Sequence, residues 1–238
     1  MCNNYRTASP GDLRAAWGVE PPSDLFWDAE VWPHGDAVMI RRPEGGSHGD
    51  REARGARFGL VPFGAKTEHI TWDTMNARIE TAPKLYSYRR AWARSQWCIV
   101  PAWSFYEPFY ETAKSTSVRW SIARSDGQMV GIAGLWDRWV RPDGTDLLSF
   151  TMLTRNCDEH PVLGRFHRWF DKDGKPVEKR TPVLLYEDEY DDWLATAPEE
   201  VERFSKLLPE NELHSVPAPA APRRKAAKAP EGGLFNEQ

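Results

Sequence analysis

A chain of 238 residues, 40% hydrophobic and 28% charged, has room for one large or two small globular domains, and it holds no apolar run near the roughly 18 residues of a membrane span. Its net charge of -4 rules out recognition of a phosphate polymer through the overall field, so any such binding must come from a local basic patch. Three scattered cysteines, Cys2, Cys98 and Cys157, exclude a disulfide framework or a zinc ribbon. The polar residues after Met1 do not make a signal peptide, and a cytoplasmic protein is expected.

Along the chain, Ser9-Pro10-Gly11-Asp12 followed by Leu13, Ala16 and Trp17 predicts a short capped helix. Val38-Met39-Ile40 is a brief β-prone run, residues 44–55 form a Gly-rich charged loop, and 57–63 is an apolar run interrupted by Pro62. Between Lys84 and Gln96 a helix is expected, with Leu85, Tyr88 and Trp92 on one face and Arg89, Arg90 and Arg94 largely on the others. Strands are then predicted over 97–100, 104–110, 118–123, 129–136 and 148–153, separated by turns such as Ser125-Asp126-Gly127 and Pro142-Asp143-Gly144. A further strand over 181–186 and two short helices, near 189–195 and 198–207, complete the reading.

The pattern is α+β: a single domain over residues 2–216 with a curved, antiparallel, barrel-like β core flanked by short helices. Most of the twelve tryptophans belong in its core, as does the Cys98 thiol. Residues 217–238 have the Pro, Ala and basic composition of a disordered tail. That tail contributes +2 and leaves -6 on the remainder.

The chain end carries distinctive chemistry. Removal of Met1, which the small Cys2 side chain permits, leaves an α-amine and a thiol on one residue. A 1,2-aminothiol condenses with an aldehyde, first as a Schiff base and then as a five-membered thiazolidine. The unperturbed groups titrate at about 7.7–8.0 and about 8.5, so part of each is nucleophilic at neutral pH. By itself, Cys2 at a loose terminus carries no implication.

Other stretches change that: Met75-Asn76-Ala77-Arg78-Ile79-Glu80-Thr81, Pro101-Ala102-Trp103-Ser104-Phe105-Tyr106-Glu107, and Arg165-Phe166-His167 upstream of Arg180-Thr181-Pro182-Val183-Leu184. With Met1-Cys2, Phe58-Gly59-Leu60-Val61-Pro62 and Ala133-Gly134-Leu135-Trp136, the chain resembles the SRAP family, the SOS response-associated peptidases, from Cys2 to about Leu185. The resemblance implies an abasic-site sensor that crosslinks covalently, through Cys2, to abasic sites in single-stranded DNA and protects them in the DNA damage response. It needs no metal or other cofactor. It implies roles for Cys2, Asn76, Glu107 and His167 in catalysis and for Arg78 in DNA binding, with Arg89, Arg90 and Arg168 as further DNA-binding candidates and Phe63 or Trp72 as stacking residues.

Each assignment has a chemical reason. Glu107, among aromatic residues, suits proton shuttling; Asn76 can donate and accept at fixed geometry; Arg78 offers a phosphate fork or pairs with a carboxylate such as Glu80; His167 brings an imidazole able to give or take a proton, with His160 as its rival. The chain departs from the family at Asn3-Asn4, where Gly-Arg is common, leaving Arg6 to substitute, at Pro108, and in the inserted residues 168–179.

Two other classes fit the sequence. One is an N-terminal-nucleophile cysteine peptidase or amidohydrolase, including autoproteolytic removal of Met1; the other is a non-catalytic nucleic-acid-binding module. A lyase-type activity on the abasic sugar belongs with the first reading. On DNA the cytoplasmic protein is expected at the nucleoid, and Leu234-Phe235 in the tail is a candidate contact for a replication or repair partner.

Overall fold

A computed structural model describes residues 2–23 and 25–220, and among these the backbone forms twelve strands and three short α-helices. In chain order they are β1 (Asn4–Thr7), α1 (Pro10–Trp17), β2 (Glu30–Val31), β3 (Asp36–Arg41), β4 (Glu52–Phe58), β5 (Asn76–Arg78), α2 (Arg89–Ala93), β6 (Trp97–Phe109), β7 (Val118–Arg124), β8 (Val130–Val140), β9 (Asp146–Asn156), β10 (Arg180–Pro182), β11 (Leu184–Leu185), α3 (Tyr190–Ala195) and β12 (Leu213–Pro217). The helix expected near 198–207 is a run of 3-10 turns over Pro198–Phe204.

Side-chain alternation along the strands builds two cores. Cys98, Val100 and Ala102 of β6 join Met39, Phe58, Ile132, Phe150 and Met152 in one. Trp97 and Ile99 of the same strand join Leu135, Leu153, Leu13, Trp17 and Trp193 in the other, beneath the helices. Both faces of these strands are therefore buried. Two of the buried tryptophans have their N–H groups bonded: Trp193 Nε1 donates to Cys98 O and Trp97 Nε1 to Thr196 O, each at 2.8 Å, and these bonds dock α3.

Five strands close a ring. β3 pairs with β4, β4 with β9, β9 with β8, β8 with β6, and β6 returns to β3. The expected barrel-like α+β core is thus present, and its pairing is largely antiparallel; β9 adds parallel pairings to β4 and β5. Two of the ring's joints are slight: Ile40 opposite Ile99 for β3–β6, and Arg57 and Phe58 opposite Ser149 and Phe150 for β4–β9. At Gly134, a Cβ would lie 2.8 Å from Cys98 Sγ and 3.0 Å from Thr151 O, so only glycine admits this strand packing.

Several local expectations hold and several change. α1 has the Ser9 and Asp12 capping box and ends on Gly18 in the left-handed region. The helix expected over 84–96 shrinks to a 3-10 turn at Ala82–Lys84 and α2, so Tyr88 and Trp92 are buried while Leu85 faces solvent. Residues 97–109 form one strand, not two. β6 passes Pro101 by changing partners, pairing with β8 over 97–102 and with β7 over 105–109. Pro217, where the sequence suggested the tail begins, is the last residue of β12, paired with Trp120 of β7. Leu234 and Phe235 lie outside the described residues.

Asp137 of β8 ties the elements around the ring together. Its buried carboxylate accepts from Phe63 N at 3.2 Å, from Arg138 N at 2.8 Å and from Arg90 Nη1 at 2.8 Å, so it fixes the loop after β4 and α2 to the barrel. Asp137→Ala strips a partner from all three donors. A loss of about 1–3 kcal/mol is expected, measured by urea unfolding; an unchanged midpoint and slope would show that the cluster does not brace the fold.

Candidate active site

The chain end is held by a sheet. β1 lies antiparallel to β6, with Asn4 opposite Tyr106 and Tyr5 opposite Phe105, so continuing the register brings residues 2 and 3 alongside Glu107 and Pro108. Cys2 is fully buried in the same core as Tyr5. Its carbonyl accepts from Asn76 Nδ2 at 2.8 Å, and its thiol donates to Asn4 O at 3.4 Å. Burial pushes the thiol well above its ordinary range and the Glu107 carboxylate adds to this, against backbone N–H groups of Tyr106 and Asn4. Met1 lies outside the described residues.

Asn76 opens β5, which runs parallel to β9 with Asn76 opposite Met152. Two contacts grip it: the side chain donates to Cys2, and the carbonyl accepts from Tyr88 Oη at 3.2 Å. Gly59 makes the preceding loop possible. Its φ of 115° turns the chain out of β4 while its N–H donates to Phe150 O.

Glu107 is 2% exposed, and its Oε2 lies 2.8 Å from His167 Nε2. His167 stands in the left-handed region with a φ of 67°, held from both sides: its N–H donates to Pro108 O at 2.7 Å, and Lys179 Nζ donates to the carbonyls of His167 at 3.0 Å and Arg168 at 2.6 Å. Burial lowers the Lys179 pKa, though Asp158 opposes it. The structure thus places Cys2 beside Asn76, and Glu107 beside His167, with the Glu107 carboxylate close enough to act on the Cys2 thiol. His160 is occupied elsewhere. Its Nε2 bonds Leu208 O, and its Nδ1 accepts from the amides of Val162 and Leu163, making it a turn anchor.

The basic candidates are dispersed by their partners. Arg78 is half exposed and pairs with Glu178 at 2.8 Å, while Glu80 goes to the buried Arg180 at 2.8 Å. Arg90 is committed to Asp137 and lies 3.7 Å from the Phe63 ring centroid. Arg89 is exposed near Tyr86, and Arg168 is exposed near Tyr110. Arg6 lies over Trp103, whose Nε1 bonds Asp12. Phe63 and Trp72 are about half exposed, the latter bonded to Ser87.

Three further residues shape the site that sequence reasoning did not assign. Glu178 accepts from Asn156 and Arg180 as well as pairing with Arg78. Burial works against its ionisation, but these partners together hold its carboxyl below the usual range. Lys179 supports His167 as described. Cys157, buried in the Cys2 core, has its thiol pushed up to about 12 by burial and then by Glu107. No local motif announces any of them. Among the described residues no group of three or more His, Cys, Asp and Glu is arranged to hold a metal ion, and no helix is long and apolar enough to cross a membrane.

Comparisons with known proteins identify the chain's relatives. A protein of Bacillus subtilis named abasic site processing protein YoaM is 33% identical over 156 residues, covering 64% of this chain and 61% of its own length. Abasic site processing protein YoqW from the same organism is 29% identical over 152 residues, with the same shares. This chain therefore spans about three-fifths of each relative. A crystal structure of a protein from Bordetella bronchiseptica superposes with a TM-score of 0.81 at 33% identity, covering 92% of this chain and 100% of that one. The model of the family described as SOS response associated peptidase (SRAP) matches residues 1–221, and the chain belongs to that family.

Proposed function

We propose that this protein processes abasic sites, capturing them in single-stranded DNA as a thiazolidine on Cys2. The names of its relatives support abasic-site processing, and one observation carries the chemistry: Asn76 grips the Cys2 carbonyl at 2.8 Å while Glu107, paired with His167, acts on the Cys2 thiol.

Once Met1 is gone, the Cys2 amine adds to the aldehyde carbon of the ring-opened sugar and water leaves as the imine forms. Sulfur then adds to the imine carbon, and the thiol proton ends on the ring nitrogen. Glu107 is the proton carrier for both steps, since the buried thiol stays protonated and needs a base at the moment of attack. His167, whose Nε2 lies 2.8 Å from Glu107 Oε2, supplies a proton to the sugar ring oxygen as the aldehyde opens.

On an abasic oligonucleotide, Cys2→Ala should give no adduct that survives denaturation. Cys2→Ala and Cys2→Ser both keep the amine, so each should give a product only when borohydride reduces the imine. Glu107→Gln should slow adduct formation by about 10²–10⁴-fold. Mass spectrometry and denaturing gels read all three, and a stable adduct with Cys2→Ala in the absence of borohydride would end the reading.

Arg78 is the proposed phosphate contact, and in the free protein its guanidinium is held by Glu178. Phosphate must therefore displace a carboxylate. Glu178→Gln should tighten binding to undamaged single strands several-fold, and it should cost stability at neutral pH. Because the folded-state pKa of Glu178 is depressed, its contribution is present above the unfolded value of about 4.3 and lost as pH falls through the folded one. Melting curves of variant and parent should converge on acidification below about pH 4, and a pH-independent gap would contradict this account.

A further inference from the structure

A concavity opens away from Cys2. It is a groove of about 1520 Å³ in which β4 and β9 part company, and none of Cys2, Asn76, Glu107 or His167 lines it. Its origin is topological. β4 pairs with β9 only at Arg57 and Phe58, so Glu52–Ala56 have no partner on that side, while residues 146–148 follow β8 away from them. Trp136 floors the opening, with the buried Arg41 guanidinium 4.2 Å from its ring centroid.

The walls carry eight arginines, no lysine and four carboxylates, a local excess of positive charge on a chain of net -4. Internal pairing does not cancel that excess. Glu52 serves both Arg41 and Arg54, and Glu68 serves both Arg57 and Arg141. Arg42 and Arg94 are exposed and make no ion pair with any described residue. Arginine forks that lack carboxylates in an open polar groove match phosphate oxygens in geometry and charge.

We propose that this groove binds the phosphate backbone of a nucleic-acid strand at nucleotides outside the lesion. The assignment to nucleic acid rests on the function proposed above, and the connectivity supports it. Arg90 lines both the groove and a smaller recess shared with Phe63, Tyr86 and Arg89, and the neighbouring Tyr88 bonds the Asn76 carbonyl. Residues 86–94 therefore form a continuous bridge from the capture pocket to the seam. A strand held at Cys2 passes over exposed Tyr86 and Phe63 and delivers its further phosphates to Arg42 and Arg94.

The test uses the full chain, undamaged single-stranded oligonucleotides of about 8 and about 24 nucleotides, and the double variant Arg42→Gln/Arg94→Gln. In fluorescence anisotropy the variant should bind the long strand at least about fivefold more weakly and the short strand as the parent does. Its plot of log affinity against log salt should be shallower by about 1.4, from two lost phosphate contacts at about 0.7 each. Arg42→Lys/Arg94→Lys should largely restore binding, because lysine keeps the charge. Undamaged DNA gives no adduct, so the result reads the groove even if covalent capture fails, and adduct yield on a short abasic strand should not change in the variant. Equal weakening at both lengths, or none, overturns the proposal. So does a polyglutamate peptide whose binding falls in the variant while the long strand's does not, which would make the seam a site for an acidic peptide added along β4.

Discussion

The site depends on a chain terminus that is kept from moving. Ends usually fray, and fixing one residue's backbone costs about 1–2 kcal/mol. Here the β1–β6 ladder, the full burial of Cys2 and Tyr5, and the Asn76 bond to the Cys2 carbonyl offset that cost before any substrate arrives. Reaction at an ordered end then requires little further loss of freedom, which is how positioning lowers a barrier. The same burial explains why a carboxylate must be close: a thiol out of water gives up its proton only to a base within reach.

In the proposed reaction, long β6 supplies that base as Glu107. Its first half belongs to the barrel ring, but beyond Ala102 its partner is β7, so Glu107 lies past the closed part of the sheet. Opposite it, His167 occupies a left-handed backbone conformation that costs a β-carbon residue of order 1–3 kcal/mol. Bonds from its N–H to Pro108 O and from Lys179 to its carbonyl hold it there, and both anchors flank the acid it faces. The inserted residues 168–179 thus act on the site through their ends: Lys179 steadies the histidine, and Glu178 occupies Arg78.

What was legible in the sequence was local. The capping box at Ser9 and the β segments at 97–100, 104–110 and 129–136 depend on near neighbours, and the structure has a helix and strands there, with the first two β segments merged into one. The misreadings came from partners distant in sequence. Arg90 looks like a free cation until Asp137, 47 residues on, takes it, and Glu80 looks like the mate of Arg78 until Arg180, 100 residues away, claims it. Pro101 suggested a break because it cannot donate to a ladder. The strand continues because the proline sits where β6 changes partners, with its carbonyl accepting from Thr7 Oγ1. Leu85 has the spacing of a buried residue, but the 3-10 turn before it changes the period and leaves it in solvent.

The placement of charge suits the two tasks that the proposed function combines. Holding phosphates calls for fixed cations, whereas moving a proton calls for a carboxylate free to change its charge. A guanidinium within a few Å of Glu107 in a poorly polarisable pocket would lock it in the ionised form, since Coulomb attraction there far exceeds that in water. The nearby buried arginine avoids this by being spent elsewhere: Arg180 divides its fork among Glu80, Glu178 and Thr154. Arg78 stands half exposed at the rim, and the densest set of arginines lies across the sheet at the open β4–β9 seam. A chain of net -4 can therefore hold a polyanion through separated basic surfaces while its reacting pocket stays nearly free of fixed positive charge.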